Sequence, residues 1–215
     1  MCAISTRFCY NLQQRDGFMN FIFDVGDVLI QYKPLVYLKS LFTDETMINR
    51  LHEAIFKSPE WLKMDEGVLS HKDGIEIFCK REPELKDEIH LVMDMKNYGE
   101  TLIPLHETID LLPKIKDSGH DLYYLSNMHT ETKAFLLKNN DFFNLFDGGI
   151  FSCDINQRKP FPEIYRHLLK EYSLTPIDCI FFDDMNENTK AAEKEGMKGV
   201  IYTGAASVIA VLDSY

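Results

Sequence analysis

Residues 21–29 read FIFDVGDVL: an aromatic and apolar run that stops at Asp24, then a glycine at 26, then a return to apolar residues. The run itself reads as a buried strand. A carboxylate at the end of such a strand has two explanations. Asp24 caps a turn in which Gly26 takes a backbone angle that other residues resist, or the strand delivers the carboxylate to a site. The rest of the chain decides between them.

Similar short runs recur at 20–23, 121–125, 149–152, 179–182 and 199–202. Between most of them lie segments with helical spacing, such as Ile164, Leu168 and Leu169 after Pro162, or Leu105, Ile109, Leu112 and Ile115 before Gly119. Alternating strands and helices predict an α/β fold, a Rossmann-like parallel sheet covered on both faces. Pro113 falls inside the second of those helical patterns, so a kink or a late helix start is expected there.

Residues 34–100 break the alternation, because no strand pattern occurs in them. Thr43 or Asp44 can cap a helix carrying Ile48, Leu51 and Ile55. Ser58 before Pro59 opens another, Ser70 with Asp73 a third, and a fourth is predicted from Glu84 to Met95. The predicted organisation is an N-terminal tail at 1–19, a core formed by 20–33 and 101–215, and a small helical cap inserted at 34–100 above the carboxyl edge of the sheet.

Composition narrows the function. The 215 residues carry a formal net charge of −11, and no lysine or arginine run offsets it locally, which argues against a nucleic-acid partner. No apolar run approaches the ~20 residues that a membrane span needs, and the first twenty residues lack the apolar core of a secretory signal. The expectation is a cytoplasmic protein without a membrane partner. Its five cysteines are widely spaced with no CxxC pair, so neither a disulfide framework nor a zinc site is indicated. Oligomeric state is left open.

In an open parallel sheet, ligands bind outside the carboxyl ends of the strands. The residues at those ends are Asp24, Ser126 with Asn127, and Asp183 with Asp184; the loop at 156–160 adds Asn156, Arg158, Lys159 and Pro160. Each has an ordinary reading alone, as a turn, a cap or a solvated charge. Together they form an acidic cluster, and carboxylates brought close repel one another unless a cation or proton intervenes. Hard oxygen ligands suit Mg²⁺. Such an ion beside a lysine, a hydroxyl and an amide donor suits a phosphate, with Ser126 and Lys159 holding phosphoryl oxygens and Asp24 as nucleophile.

The motifs FDVGDVL, YLSN, RKP and FFDDMNEN, in that order, closely resemble the four motifs of the haloacid dehalogenase (HAD) superfamily. The likeness runs from Phe21 over nearly the whole remaining chain, and the position of the helical insert is similar to the class I cap. More narrowly, the motif spellings resemble the branch of the bacterial α-D-glucose-1-phosphate phosphatases and the phosphatase domains related to soluble epoxide hydrolase. The resemblance implies a Mg²⁺-dependent phosphatase acting through an aspartyl-phosphate on a small phosphorylated metabolite such as a sugar phosphate. It makes Asp24, Ser126 and Lys159 catalytic, with Ser126, Asn127 and Lys159 binding substrate. Asp24, the carbonyl of Gly26 and Asp184 become metal ligands, with Asp183 a direct or water-mediated one.

Two departures stand out. Most phosphatases of the superfamily carry a second aspartate two residues after the nucleophile as general acid and base, and here that position is Gly26. The proton donor is therefore missing, a loss that typically costs ~10²–10⁴-fold. Asp27 either substitutes or binds backbone in the turn. Asn156 replaces a common glycine, a mild change since asparagine tolerates left-handed backbone. The alternatives are a catalytically weak or inactive phosphate-binding protein, motivated by Gly26, and a haloacid dehalogenase, for which Asp183 and Asp184 would be an unexplained electrostatic cost. In the cap, Trp61, Lys63, Met64 and Asp65 are candidates for substrate contact, although Trp61 and Met64 equally suit the cap's own core.

Overall fold

The computed structural model describes residues 17–215. Most of the expected N-terminal tail, with Cys2 and Cys9, lies outside the described residues; Cys79, Cys153 and Cys179 are free thiols. Five strands form one sheet: β1 (Asn20–Phe23), β2 (Asp121–Ser126), β3 (Gly148–Phe151), β4 (Cys179–Asp183) and β5 (Lys198–Ile201). Each lies within one residue of its predicted run. All pairings are parallel and the order is β3-β2-β1-β4-β5.

The chain steps outward from β1 through β2 to β3, then returns to the other side of β1 to lay down β4. That reversal opens a crevice at the carboxyl ends of β1 and β4. Register brings their ends level: Phe23 pairs with both Tyr124 and Phe182, and the Asp24 N–H donates to the Phe182 carbonyl at 2.8 Å. Asp24 and Asp183 follow these paired residues, so the two carboxylates leave adjacent strands at the same height.

Side chains alternate across β1 as a pleated strand requires. Phe21 and Phe23 stack on Phe182, with ring centroids 5.8 and 5.0 Å away, on one face. Ile22 packs on the other with Phe181 and with Ile164, Tyr165 and Leu168. All four β1 residues are buried, as befits the central strand of a sheet covered on both sides.

Among the described residues, six α-helices separate β1 from residue 100: α1 (Pro34–Leu41), α2 (Glu45–Leu51), α3 (Pro59–Asp65), α4 (His71–Arg81), α5 (Lys86–Met93) and α6 (Met95–Gly99). They form the helical cap. Asp44 rather than Thr43 caps α2, accepting from the N–H groups of Thr46 and Met47, and Ser58 and Ser70 cap α3 and α4. The structure differs from expectation in two places. Ile55 lies in a wider π turn, His52–Phe56, that continues α2. The single helix expected from Glu84 to Met95 is a 3-10 turn, Pro83–Leu85, followed by α5 and α6. Asp94 causes the break, because its carboxylate accepts from the Lys96 N–H and starts a new helix.

In the core, α7 (His106–Ile109) stops before α8 (Leu112–Asp117), and Pro113 sits in the first turn of α8, the late start expected of it. The remaining helices are α9 (Thr130–Asn139), α10 (Ser152–Ile155), α11 (Pro162–Glu171), α12 (Asn186–Lys194) and α13 (Ala205–Leu212). No helix among the described residues is long and apolar enough to cross a membrane.

The cap is fastened to the core where α3 ends. Ser152 Oγ donates to the Asp65 carbonyl, and Asn156 Nδ2 donates to the Glu66 carbonyl at 3.0 Å. Asn156 is left-handed, with φ +54°. Gly67 completes the junction: its φ is +74°, and a Cβ there would lie 2.5 Å from the Cys153 carbonyl oxygen. Gly67→Ala therefore combines left-handed strain with a backbone clash. We expect it to cost about 2 kcal/mol or more, which thermal denaturation would register as a drop of roughly 5 °C for a chain of this length.

Candidate active site

The site is built around a buried lysine. Lys159, 2% exposed, reaches from the loop after β3 to lie between the carboxylates of β1 and β4. Its Nζ is 2.8 Å from Asp24 Oδ1 and 2.7 Å from Asp183 Oδ2. Asp24 is 8% exposed and Asp183 fully enclosed. Three buried charges with one cation among them carry a net negative charge, and Asp184, the exposed neighbour, adds to it.

The carboxylates register that imbalance. Burial pushes the Asp24 carboxyl up to about 7; Lys159 opposes the rise and Asp183 adds to it. Asp184 is also raised, by burial and then by Asp183. Lys159 is driven the other way by burial, yet its two carboxylate partners outweigh that and hold it charged above its ordinary value.

Asp183 is fully engaged. Its Oδ1 accepts from the Met185 N–H at 2.8 Å and from Asn188 Nδ2 at 3.0 Å, while Oδ2 accepts from Lys159 and from Asn188 Nδ2 at 3.0 Å. Asn188, on the first turn of α12, was not singled out in the sequence. It is the last residue of the FFDDMNEN motif, five residues after Asp183, where a helix turning away from the strand end brings it back over the carboxylate.

Asn127 holds the lysine loop by the backbone. Its Oδ1 accepts from the Lys159 N–H at 2.8 Å and its Nδ2 donates to the Lys159 carbonyl at 2.9 Å. Both ends of the side-chain amide are thus spent on Lys159. Ser126 is buried at the end of β2 with its Oγ 3.5 Å from the Asn127 carbonyl. Asp27 is committed to its turn: at φ +52° its Oδ1 accepts from the Tyr32 N–H at 2.8 Å and its Oδ2 pairs with Lys33 at 2.8 Å.

A cavity of about 380 Å³ opens above these groups, between cap and core. Asp24, Gly26, Asn127, Lys159 and Asp184 line its core side. From the cap come Phe56, Trp61, Leu62, Asp65 and Tyr98. Trp61 lines the cavity and packs against Phe56 and His129, with centroids at 4.7 and 4.4 Å. Of the other cap candidates, Met64 is buried against Gly74, and Lys63 is exposed.

A metal ion has a donor set here. Asp24, Asp183 and Asp184 each offer a carboxylate oxygen within 4.8 Å of the others, all hard oxygen ligands of the kind that Mg²⁺ prefers. The excess negative charge and the raised Asp24 and Asp184 carboxyls call for the same thing, a cation beyond Lys159.

A parallel sheet with its reversal at β1, a helical cap, and a lysine shared by two strand-end aspartates define a hydrolase of one family. Residues 18–196 match the haloacid dehalogenase-like hydrolases, and the chain belongs to that family. It is 29% identical to a sesquiterpene phosphatase of Aspergillus oryzae, over 85% of this chain and 88% of the relative. It is 25% identical to a phosphorylated carbohydrates phosphatase of Thermotoga maritima, over 85% of each. A HAD family enzyme of Bacteroides thetaiotaomicron, solved in complex with magnesium and inorganic phosphate, shares the fold with a TM-score of 0.66 at 20% identity, over 87% of this chain and 94% of that one.

Proposed function

We propose that the protein is a Mg²⁺-dependent phosphatase that cleaves a small cytoplasmic phosphate monoester through an aspartyl-phosphate on Asp24. The observation that carries this reading is the buried Lys159 held between Asp24 and Asp183. A lysine so placed keeps Asp24 oriented and partly charged, and it stands ready to neutralise a phosphoryl oxygen once one arrives. Asp24 and Asp184, with the Gly26 carbonyl, would hold Mg²⁺ directly; Asp183, whose oxygens already have donors, would act through water. The ion would supply charge neutralisation on the phosphoryl group. Ser126 and Asn127 end the strand beside Lys159, so their backbone and the Ser126 hydroxyl are the donors proposed for the remaining oxygens.

The leaving group is the finer part of the proposal. Ile30, Phe56, Leu62, Leu102, Met128 and Leu136 contribute to the cavity wall, which favours an alcohol with substantial apolar surface. The likeness to a sesquiterpene phosphatase supports that choice. The sugar phosphate expected from the motif spellings of the glucose-1-phosphate branch is the second reading. Arg158 and Glu187 in the same cavity and the likeness to a carbohydrate phosphatase favour it.

A panel of terpenyl and sugar monophosphates, assayed for phosphate release with Mg²⁺ and with chelator, tests both. The expected result is Mg²⁺-dependent release with the higher kcat/KM on the terpenyl ester. Trp61→Ala should then narrow or reverse the ranking. A uniform loss across the panel would assign Trp61 to the cap's core alone. Mg²⁺ and phosphate binding with no release from any ester would favour a binding protein, and halide release from a haloacid would favour a dehalogenase.

A further inference from the structure

An alkoxide leaves phosphorus poorly, so cleaving an alkyl ester calls for a group that protonates the departing oxygen. Gly26 provides none, and Asp27 is turned into its own hydrogen bonds and salt bridge. Among the described residues, the cap side of the cavity carries one carboxyl group, that of Asp65 at the end of α3. We propose that Asp65 is the catalytic acid and base of this site, supplied by the cap instead of by the strand that carries the nucleophile. The proposal rests on Asp24 being that nucleophile.

Placement supports the role. The Asp65 and Glu66 carbonyls are held by Ser152 and Asn156 of the core, and Gly67 lies against the Cys153 backbone. These contacts fix the end of α3 on the loop that leads from β3 to Lys159. The carboxyl group is therefore positioned by the core although it belongs to the cap, and Asp65 lines the cavity opposite the core residues Asp24 and Lys159.

Its surroundings suit proton transfer. Around it stand Asp24 from β1, Arg158 and Lys159 from the loop, His129 from the start of α9, and Tyr32 and Tyr98. Burial is the strongest influence and pushes Asp65 up to about 8; Arg158 and Lys159 oppose this while Asp24 adds to it. Asp65 thus carries a proton at neutral pH and can still give it up. His129 Nε2 lies 3.4 Å from Asp65 Oδ1, but burial pushes its own pKa down to about 3. A neutral imidazole does not trap the carboxylate in an ion pair. Tyr32 and Tyr98 are raised well above their ordinary values by burial and are poor acids here.

In the first half-reaction, Asp24 forms an oxygen–phosphorus bond as the ester oxygen–phosphorus bond breaks. The leaving oxygen takes the Asp65 proton and departs as the alcohol. In the second half, the Asp65 carboxylate takes a proton from water as the water oxygen bonds to phosphorus. The bond to Asp24 breaks, inorganic phosphate leaves, and both side chains are restored.

The test compares wild type, Asp65→Asn and Asp65→Glu on an alkyl phosphate and on p-nitrophenyl phosphate, whose leaving group needs no proton. For Asp65→Asn we expect a loss of about 10²–10⁴-fold in kcat on the alkyl ester. On the aryl ester, formation of the phosphoenzyme is spared and its hydrolysis slowed, giving a burst of nitrophenol before slow turnover. The alkaline limb of the kcat profile should vanish in Asp65→Asn and return in part with Asp65→Glu.

Melting temperature gives a readout apart from activity. A carboxyl whose folded pKa is raised contributes stability below its unfolded value, near 3.9, and loses it as pH rises through the folded value. Asp65→Asn should therefore gain on wild type as pH rises from 4 to 8. Equal losses on both esters with an unchanged pH profile would overturn the proposal and leave Asp65 a positioning residue. Wild type inert toward both esters would instead overturn the phosphatase reading, and this role with it.

Discussion

Asp24→Asn is expected to fold as wild type does and to lose phosphate release by about 10⁴-fold or more, the scale seen when a group that forms a covalent intermediate is removed. The substitution is nearly isosteric and keeps an oxygen able to accept from the Val25 N–H, which now lies 2.6 Å from Asp24 Oδ1. It removes one of two buried carboxylates that share a single lysine, so it relieves charge crowding instead of creating it. Thermal stability should hold or rise while activity disappears. A melting assay beside a phosphate-release assay checks both, and a variant that lost activity only because it unfolded would fail the first.

Lys159→Met should act on both properties. The buried lysine is the counter-charge for Asp24 and Asp183, and its loss leaves two carboxylates facing each other with no cation between them. Breaking a buried ion pair by removing one partner costs about 3–5 kcal/mol, which for a chain of this length is a fall of roughly 10 °C in melting temperature. Turnover should fall as well, since the group that neutralises phosphoryl charge is gone. The double variant Lys159→Met with Asp183→Asn removes one of the two uncompensated carboxylates and should recover part of the stability but none of the turnover. A double-mutant cycle measured by denaturation reads the coupling directly. A loss below about 1 kcal/mol in the single variant would mean that the two carboxylates do not depend on Lys159 for their burial.

Much of this was legible in the sequence because it depends on local pattern. FIFDVGDVL announces a buried strand ending in a carboxylate, and CIFFDD announces a second; the alternation of apolar runs with helical spacing supplies the parallel sheet between them. Capping serines at 58 and 70 are legible for the same reason, since the cap and the N–H groups it satisfies are three residues apart. Two features of the cap were not. Asp94 divides a helix whose apolar spacing runs on through Met95, because a side-chain cap competes with the helix over only a few residues. The π turn after α2 has no periodicity of its own.

The site shows the same division. Asp24, Lys159, Asp183 and Asp184 can be named from strand ends and converge as the sheet order requires. The grip of Asn127 on the Lys159 backbone spans 32 positions, and no local pattern encodes it. In the cap, the four neighbours Trp61, Lys63, Met64 and Asp65 could not be sorted from sequence. A helix of seven residues presents every face within two turns, and only its docking on Ser152 and Asn156 decides that Trp61 and Asp65 turn to the cavity while Met64 turns inward.

The central claim is covalent chemistry at Asp24, and rapid quenching tests it most directly. Wild type with Mg²⁺ is mixed with excess monoester, quenched in acid at intervals, and digested for mass spectrometry. The account predicts that the alcohol appears ahead of phosphate and that the peptide containing Asp24 carries a phosphoryl group, which is absent in Asp24→Asn and in chelator. Alcohol and phosphate released together with no phosphorylated peptide, and turnover that survives Asp24→Asn, would contradict it.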